Sequence, residues 1–527
     1  MGNIKERIPN FIEKTVLFLE KERLNFIMIF LWIILLGGIR MIIESNLFGY
    51  PYKNLGYSHI FSIAHVFFGF YICVFLGGVF ILKVLTKEKV GKIANLASWG
   101  FIMVIMPPII DHFIFGYRGP YKYIPPEKFF DFVLFSYHKI FPYIAGYGLL
   151  IEILFIVILT TTYTYIKTKS IPKAVINFIS FNFFIAFVST PALNPLLNKW
   201  EIGDLCQPAF FLRYVILSIF IFLLIMLVSK KGLLSSFIIS SGPLRSLHFL
   251  IMGLVGIFIA DQIKINTEEL TSYTNSGNIG IVGITLFVIL FVWQYATMIN
   301  NVYDVEIDKI TKKGRVLVKG FLSPNQLREI SIIFAISAVG MAFTLGVIEV
   351  ILTLLFIFLA TIYSVPPFRL RNSPFSTTII GLGSSIAFFI GYFAPSYELV
   401  NGEVVRSYPA VTTSAMIIGW IIFISLSAGS MVKDIDDYEG DKKTGVKNIF
   451  TLYGIEKGIN ISASMLILSF LSPLLLFHEP IDIVVFMVSA ALTIISFVRI
   501  KKAFIAFPFY FIVLLYSLLR WFGIITL

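Results

Sequence analysis

Runs of about 20 apolar residues recur along this chain from Leu24 onward, and they restrict its fold more than any other feature. A helix of that length crosses roughly 30 Å of hydrocarbon with its backbone hydrogen bonds satisfied internally. The ten-residue alternation of a membrane barrel is absent from the sequence. Composition agrees, with 57% hydrophobic, 16% aromatic and only 14% charged residues. The expected fold class is therefore all-α and polytopic in the membrane, surrounded by lipid. No small-residue cleavage site precedes the first run, so no removable signal peptide is expected.

The net charge of +12 is explained by topology, and no nucleic-acid partner is expected. Lysine and arginine gather in alternate loops: 1–23, 83–92, 167–173, 229–245, 309–328, 369–371, 433–457 and 499–502. Basic loops stay cytoplasmic, and this alternation orients the spans. Spans are expected near 24–43, 58–82, 94–116, 142–166, 174–192 and 209–228. After an interfacial linker come nine more, near 246–262, 279–300, 329–346, 348–364, 375–394, 412–431, 459–477, 481–498 and 503–524. The division is a six-span block, 1–232, followed by a nine-span block, 233–527. Three loops of the second block, after its second, fourth and sixth spans, are placed on the cytoplasmic side.

Those loops hold the unusual chemistry. In "NNVYDVEIDKI", Asn300, Asp304 and Asp308 are spaced i, i+4, i+8, which aligns them on one face if the helix continues. In "KDIDDYEGDKKTG", Asp434, Asp437 and Asp441 at i, i+3, i+7 are expected to form a second column. A single acidic loop at a membrane edge is more often simply solvated. Two such columns on one side repel one another unless cations lie between them, and hard oxygen donors at this density suit Mg²⁺. Magnesium keeps positions for phosphate oxygens, so the expected ligand is a phosphorylated molecule. The intervening loop, "YSVPPFRLRN", offers Tyr363, Arg369 and Arg371, and guanidinium groups bind phosphate bidentately. Arg315 and Lys433 flank the two columns and add charge from the sides.

Taken together, these motifs resemble the UbiA-type intramembrane prenyltransferases. Asn300-x3-Asp304-x3-Asp308 is similar to that family's first aspartate-rich motif, Asp434-x2-Asp437-x3-Asp441 to its second, and "YSVPPFRLR" to the loop between them. The resemblance covers roughly residues 235–527 and implies a nine-helix prenyltransferase bundle. It further implies Mg²⁺ held by Asn300, Asp304, Asp308, Asp434, Asp437 and Asp441. The isoprenyl diphosphate would be bound by Asn300, Asn301, Arg315, Tyr363, Arg369, Arg371 and Lys433. An isoprenyl group would pass to a lipophilic acceptor with release of pyrophosphate. Asn301 stands where the family usually keeps an acid, and "KITKKGRVLVKG" departs from its Asn- and Pro-rich segment at Thr311, Lys313, Val316 and Val318. The alternative is a catalytically altered relative acting as a lipid-binding scaffold or cation-coupled transporter. A membrane alcohol phosphotransferase ranks below both, because its DG…AR element is absent from the sequence.

No family is assigned to the first block from its residues. It carries His59, His65, His112 and His138, together with Arg40, Glu44 and Asp111, all toward the extracytoplasmic side by the charge alternation. Structural hydrogen bonding is the favoured role for the histidines, ahead of a metal, haem or proton-linked site. Lipid binding, substrate access or a partner enzyme are the roles open to the block. Cys73 is expected as a buried free thiol, with a bridge to Cys206 the alternative.

Overall fold

The computed structural model describes residues 13–48, 60–117, 121–140, 146–190, 207–266, 276–400, 403–436 and 438–524. The first six spans are α1 (Phe26–Phe48), α2 (Ile60–Thr86), α3 (Val90–Phe113), α4 (Tyr147–Thr168), α5 (Ile171–Val188) and α6 (Gln207–Ser229). A short helix, α7 (Leu233–Ser241), leads into α8 (Pro243–Asn266) and α9 (Ser276–Tyr303). There follow α10 (Val305–Thr311), α11 (Pro324–Leu345), α12 (Val347–Ser364), α13 (Ser376–Tyr392) and α14 (Thr413–Lys433). The last elements are α15 (Tyr438–Thr444), α16 (Ile449–Leu471), α17 (Pro480–Ile500) and α18 (Ala506–Trp521). Among the described residues 14 helices are long and apolar enough to cross a membrane, and α13 is a shorter apolar helix in sequence with them. The protein is all-α and polytopic, with the six-then-nine order of apolar helices read from the sequence.

Local chemistry sets many of the ends. Ser323 and Gln326 form a reciprocal capping box ahead of α11, with Pro324 in its first turn. Asn448 and Thr451 do the same for α16. That helix begins at Ile449, not near 459 as the apolar pattern suggests. Gly454, at φ 82°, kinks it, and Glu456 and Lys457 follow, so its first turns escape a hydropathy reading. A two-stranded antiparallel hairpin, β1 (Ser396–Val400) with β2 (Glu403–Ser407), also went unforeseen. Arg406 of β2 donates to the Thr344 carbonyl at the end of α11, 2.9 Å away.

The two blocks share one core. Phe61 and Ala64 of α2 and Phe211 and Leu212 of α6 pack in the same buried cluster as Ile281, Ile284 and Val288 of α9. Hydrocarbon supplies little hydrophobic drive between helices, so close packing has to hold them together. Gly280 and Gly283 of α9 allow it: a Cβ on either would collide with Pro208 and Ala209 or with Leu212. Outward residues such as Phe155, Phe220, Ile351, Phe358 and Val484 are exposed, as a lipid-facing surface requires.

Candidate active site

Asp304 stands at the junction of α9 and α10, with φ −103° and ψ 9°, yet the hydrogen-bond ladder runs through it. Its N–H bonds to the Asn300 carbonyl at 3.0 Å, and the Asp308 N–H bonds to the Asp304 carbonyl at 2.9 Å. The first acidic column is therefore built as one nearly continuous helical face. Asp304 is only 2% exposed. Its carboxylate accepts from Asn300 Nδ2 at 2.6 Å and from Arg369 Nη2 at 3.0 Å, and it pairs with Arg371. Asp308, 3% exposed, pairs with Arg315 and has Lys312 at 3.9 Å. Buried carboxylates at this density persist only when paired in this way.

Asn301 has a different setting. It is buried, and its Nδ2 donates to the Ser240 carbonyl of α7 at 3.0 Å. The Ser240 hydroxyl in turn accepts from the Val316 N–H at 2.9 Å. The short linker helix thus ties the first acidic column to the loop after it. Left-handed glycines, Gly232 at φ 85° and Gly242 at φ 61°, bracket that helix and turn the chain at both ends.

The second acidic stretch is not a single helical column. The helix α14 ends at Lys433, Asp434 forms its C-cap, and Asp441 lies on the separate helix α15. Asp437 lies outside the described residues. Asp441 accepts from Asn448 Nδ2 at 2.8 Å. Asp434 and Asp441 both act electrostatically on Tyr363, and Asp441 also acts on Arg371, so the three loops converge at one end of the bundle. Burial holds the Arg371 guanidinium below its ordinary value, a shift that Asp441 opposes and Arg245 deepens. Lys312 is lowered too, first by burial and then by Arg315, against the pull of Asp308. Lys433 is exposed and lies within electrostatic reach of Lys312.

Arg245, at the start of α8, was missed in the sequence reading. It acts on Tyr363, Arg371 and Lys312 together, placing a further cation among the acidic loops. Its sequence signal was a basic residue in a linker, indistinguishable from a topology marker. Ser364, whose hydroxyl donates to Asn300 Oδ1 at 3.5 Å, and Asn448 were missed because a single neutral polar residue at a helix end carries no charge or spacing signal. The aromatic residues preceding the first motif are engaged in packing. Phe291 meets Phe334 edge-on at 4.8 Å, Trp293 stacks on Phe249 at 4.4 Å, and the Tyr295 hydroxyl bonds to Thr361 at 2.7 Å.

The donors around the site are carboxylate and amide oxygens, the ligand type that magnesium takes. Among the described residues no three His, Cys, Asp or Glu side chains are gathered to hold a metal. In the first block, His65 and His112 belong to no such group. His59 lies outside the described residues, as does the side chain of His138. Cys73 is a buried free thiol, and Cys206 lies outside the described residues.

Residues 249–506 match the UbiA prenyltransferase family. The chain is 32% identical over 177 residues to coumarin 8-geranyltransferase 1 of Citrus limon, covering 32% of this chain and 41% of that one. It is 27% identical over 192 residues to digeranylgeranylglyceryl phosphate synthase of Methanocaldococcus jannaschii, covering 36% and 62% respectively. A solved UbiA homologue from Archaeoglobus fulgidus, bound to DMAPP and Mg²⁺, aligns with TM-score 0.40 and 19% identity over 54% of this chain and 96% of that one. The chain spans less than half the length of the first curated relatives it matches. The C-terminal part of this chain, residues 249–506, belongs to the UbiA prenyltransferase family.

Proposed function

We propose that this protein is a membrane prenyltransferase that moves an isoprenyl group from an isoprenyl diphosphate to a lipophilic acceptor, releasing pyrophosphate. The observation that carries the reading is the buried Asp304 carboxylate held between Arg369 and Arg371, while Asp441 acts on both Arg371 and Tyr363. Arg369, Arg371, Arg315, Lys312 and Arg245 stand among the acids at this end of the bundle and are the cations available to a diphosphate. Arg369 and Arg371 pair with Asp304, and Arg315 pairs with Asp308. When the diphosphate enters, they turn to its oxygens, and the freed carboxylates become available to a divalent cation.

Asn300, Asp304, Asp308, Asp434, Asp437 and Asp441 are the residues assigned to Mg²⁺. Their hard oxygen donors suit that ion, although the described acids do not stand preassembled around one point. Bound there, magnesium supplies charge neutralisation for the departing diphosphate. Arg369, Arg371 and Arg315 hold the same leaving group from the protein side, where preplaced cations lower the barrier. The apolar body of the bundle excludes water from the allylic cation that remains. The basic-loop alternation puts this end at the cytoplasmic face, and residues 1–232 and 233–527 are read as two units joined through a common core.

The test is pyrophosphate release by the full chain in liposomes, given isoprenyl diphosphates and a panel of phenolic and glyceryl-phosphate acceptors. Release is expected to require Mg²⁺, to stop on chelation, and to fall more than about 100-fold in Asp304→Ala and Asp437→Ala. Undiminished turnover in both variants would overturn the assignment.

A further inference from the structure

Within the six-helix block lies a cavity of about 590 Å³, a volume typical of a small-molecule pocket. No residue of the acidic loops lines it. Leu82 and Ile166 on its wall sit near the ends of α2 and α4, while Ser189 and Gln207 mark the opposite ends of α5 and α6. The cavity therefore follows most of the length of the spans. Its walls are largely aliphatic and aromatic, and its polar groups divide into two sets.

One set is already satisfied. Arg40 pairs with Glu44 and lies 3.4 Å from Glu152, and the Tyr121 hydroxyl donates to Asp111 at 2.7 Å. The buried guanidinium is thus consumed by carboxylates and is not free for an anionic headgroup. The other set is not satisfied. His65, 1% exposed, lies in a π-helical segment, Ala64–Phe70, of the kind that often marks functional sites in helices. Its Nδ1 is 2.9 Å from the Phe61 carbonyl, so the proton sits on Nδ1 and Nε2 is left as an acceptor. Nε2 is buried with no hydrogen-bond partner, and Oε1 of Gln207, another lining residue, is a second buried acceptor in the same condition. Buried acceptors are costly when unmet, so the cavity calls for a ligand that brings an O–H.

We propose that this cavity binds an uncharged lipophile with a terminal hydroxyl, an isoprenoid alcohol or a prenylated hydroquinone. The hydroxyl donates to His65 Nε2, with Gln207 Oε1 a second acceptor on the cavity wall, and the apolar chain runs between the helices toward Leu82 and Ile166. This site is separate from the acidic loops: the hydroxyl recognition stands on the cavity alone, while the isoprenoid identity of the ligand rests on the prenyl-transfer reading.

The experiment uses the full chain in nanodiscs and compares geranylgeraniol with geranylgeranyl methyl ether, and a prenylated hydroquinone with its dimethyl ether. Binding is read by native mass spectrometry and by competitive displacement. At least one hydroxyl compound is expected to bind about ten-fold more tightly than its ether, the value of one hydrogen bond to a buried acceptor. His65→Phe keeps the ring packing and is expected to erase that difference while leaving ether binding in place. Gln207→Leu is expected to reduce it. The pair with the larger difference identifies the ligand source. Equal affinities within both pairs for the unaltered protein, a comparison that needs no variant, would overturn the proposal, as would a difference that survives His65→Phe.

Discussion

Asp304 shows how a carboxylate is kept at a membrane edge: Asn300, Arg369 and Arg371 all converge on it. Under the proposed function the two arginines are phosphate ligands, so Arg369→Ala and Arg371→Ala should each raise KM for the isoprenyl diphosphate about ten-fold or more. Arg371→Lys should recover little of this, because an ammonium cannot make the planar two-point contact. Asn301 carries a less obvious prediction. Introducing an acid here, Asn301→Asp, sets a carboxylate against the Ser240 carbonyl and removes the donor between them. The expected result is a loss of about 1–3 kcal/mol in stability, seen as a lower Tm, with no gain in turnover. The i, i+4, i+8 spacing made the first column legible in the sequence. The partner of Asn301 was not, since Ser240 lies sixty-one positions away on a helix of unremarkable composition.

The short helix Leu233–Ser241 is the element that holds the loop after the first motif. Ser240→Ala leaves the Val316 N–H without its acceptor. Hydrogen exchange across residues 312–320 should accelerate at a cost of about 1–3 kcal/mol, with the spans unaffected. The spans were legible because bilayer thickness imposes a length on each apolar run. Three features escaped that logic. The second acidic stretch divides between the α14 C-cap and α15. The first turns of α16 are hidden by the Gly454 kink. The hairpin Ser396–Ser407 is carried by alternating residues around Asn401 and Gly402, a hairpin signal that a search for long apolar runs passes over.

Across the whole molecule, the two blocks are joined by α6 lying against the glycine face of α9. Gly283→Leu drives a side chain into Leu212, and such overpacking typically costs about 1–3 kcal/mol. A lower Tm of the full chain in detergent is the expected readout, and an unchanged Tm would argue against this seam. Residues 233–527 expressed alone would uncover the apolar face of α9 around Gly280 and Gly283, against which Pro208, Ala209 and Leu212 of α6 lie. That fragment is expected to aggregate or exchange partners on size-exclusion chromatography, while the full chain stays monodisperse.

Membrane insertion, the order of the apolar helices and the positions of the acids could all be read from the order of residues. Each depends on a local rule: the length of an apolar run, the charge of a loop, the period of a helix. The roles of Arg245, Ser240 and His65 became visible only once the helices were packed. Their significance lies in partners brought together from distant parts of the chain, or in one buried ring nitrogen left without a hydrogen-bond partner beside a cavity, and no local rule carries that information.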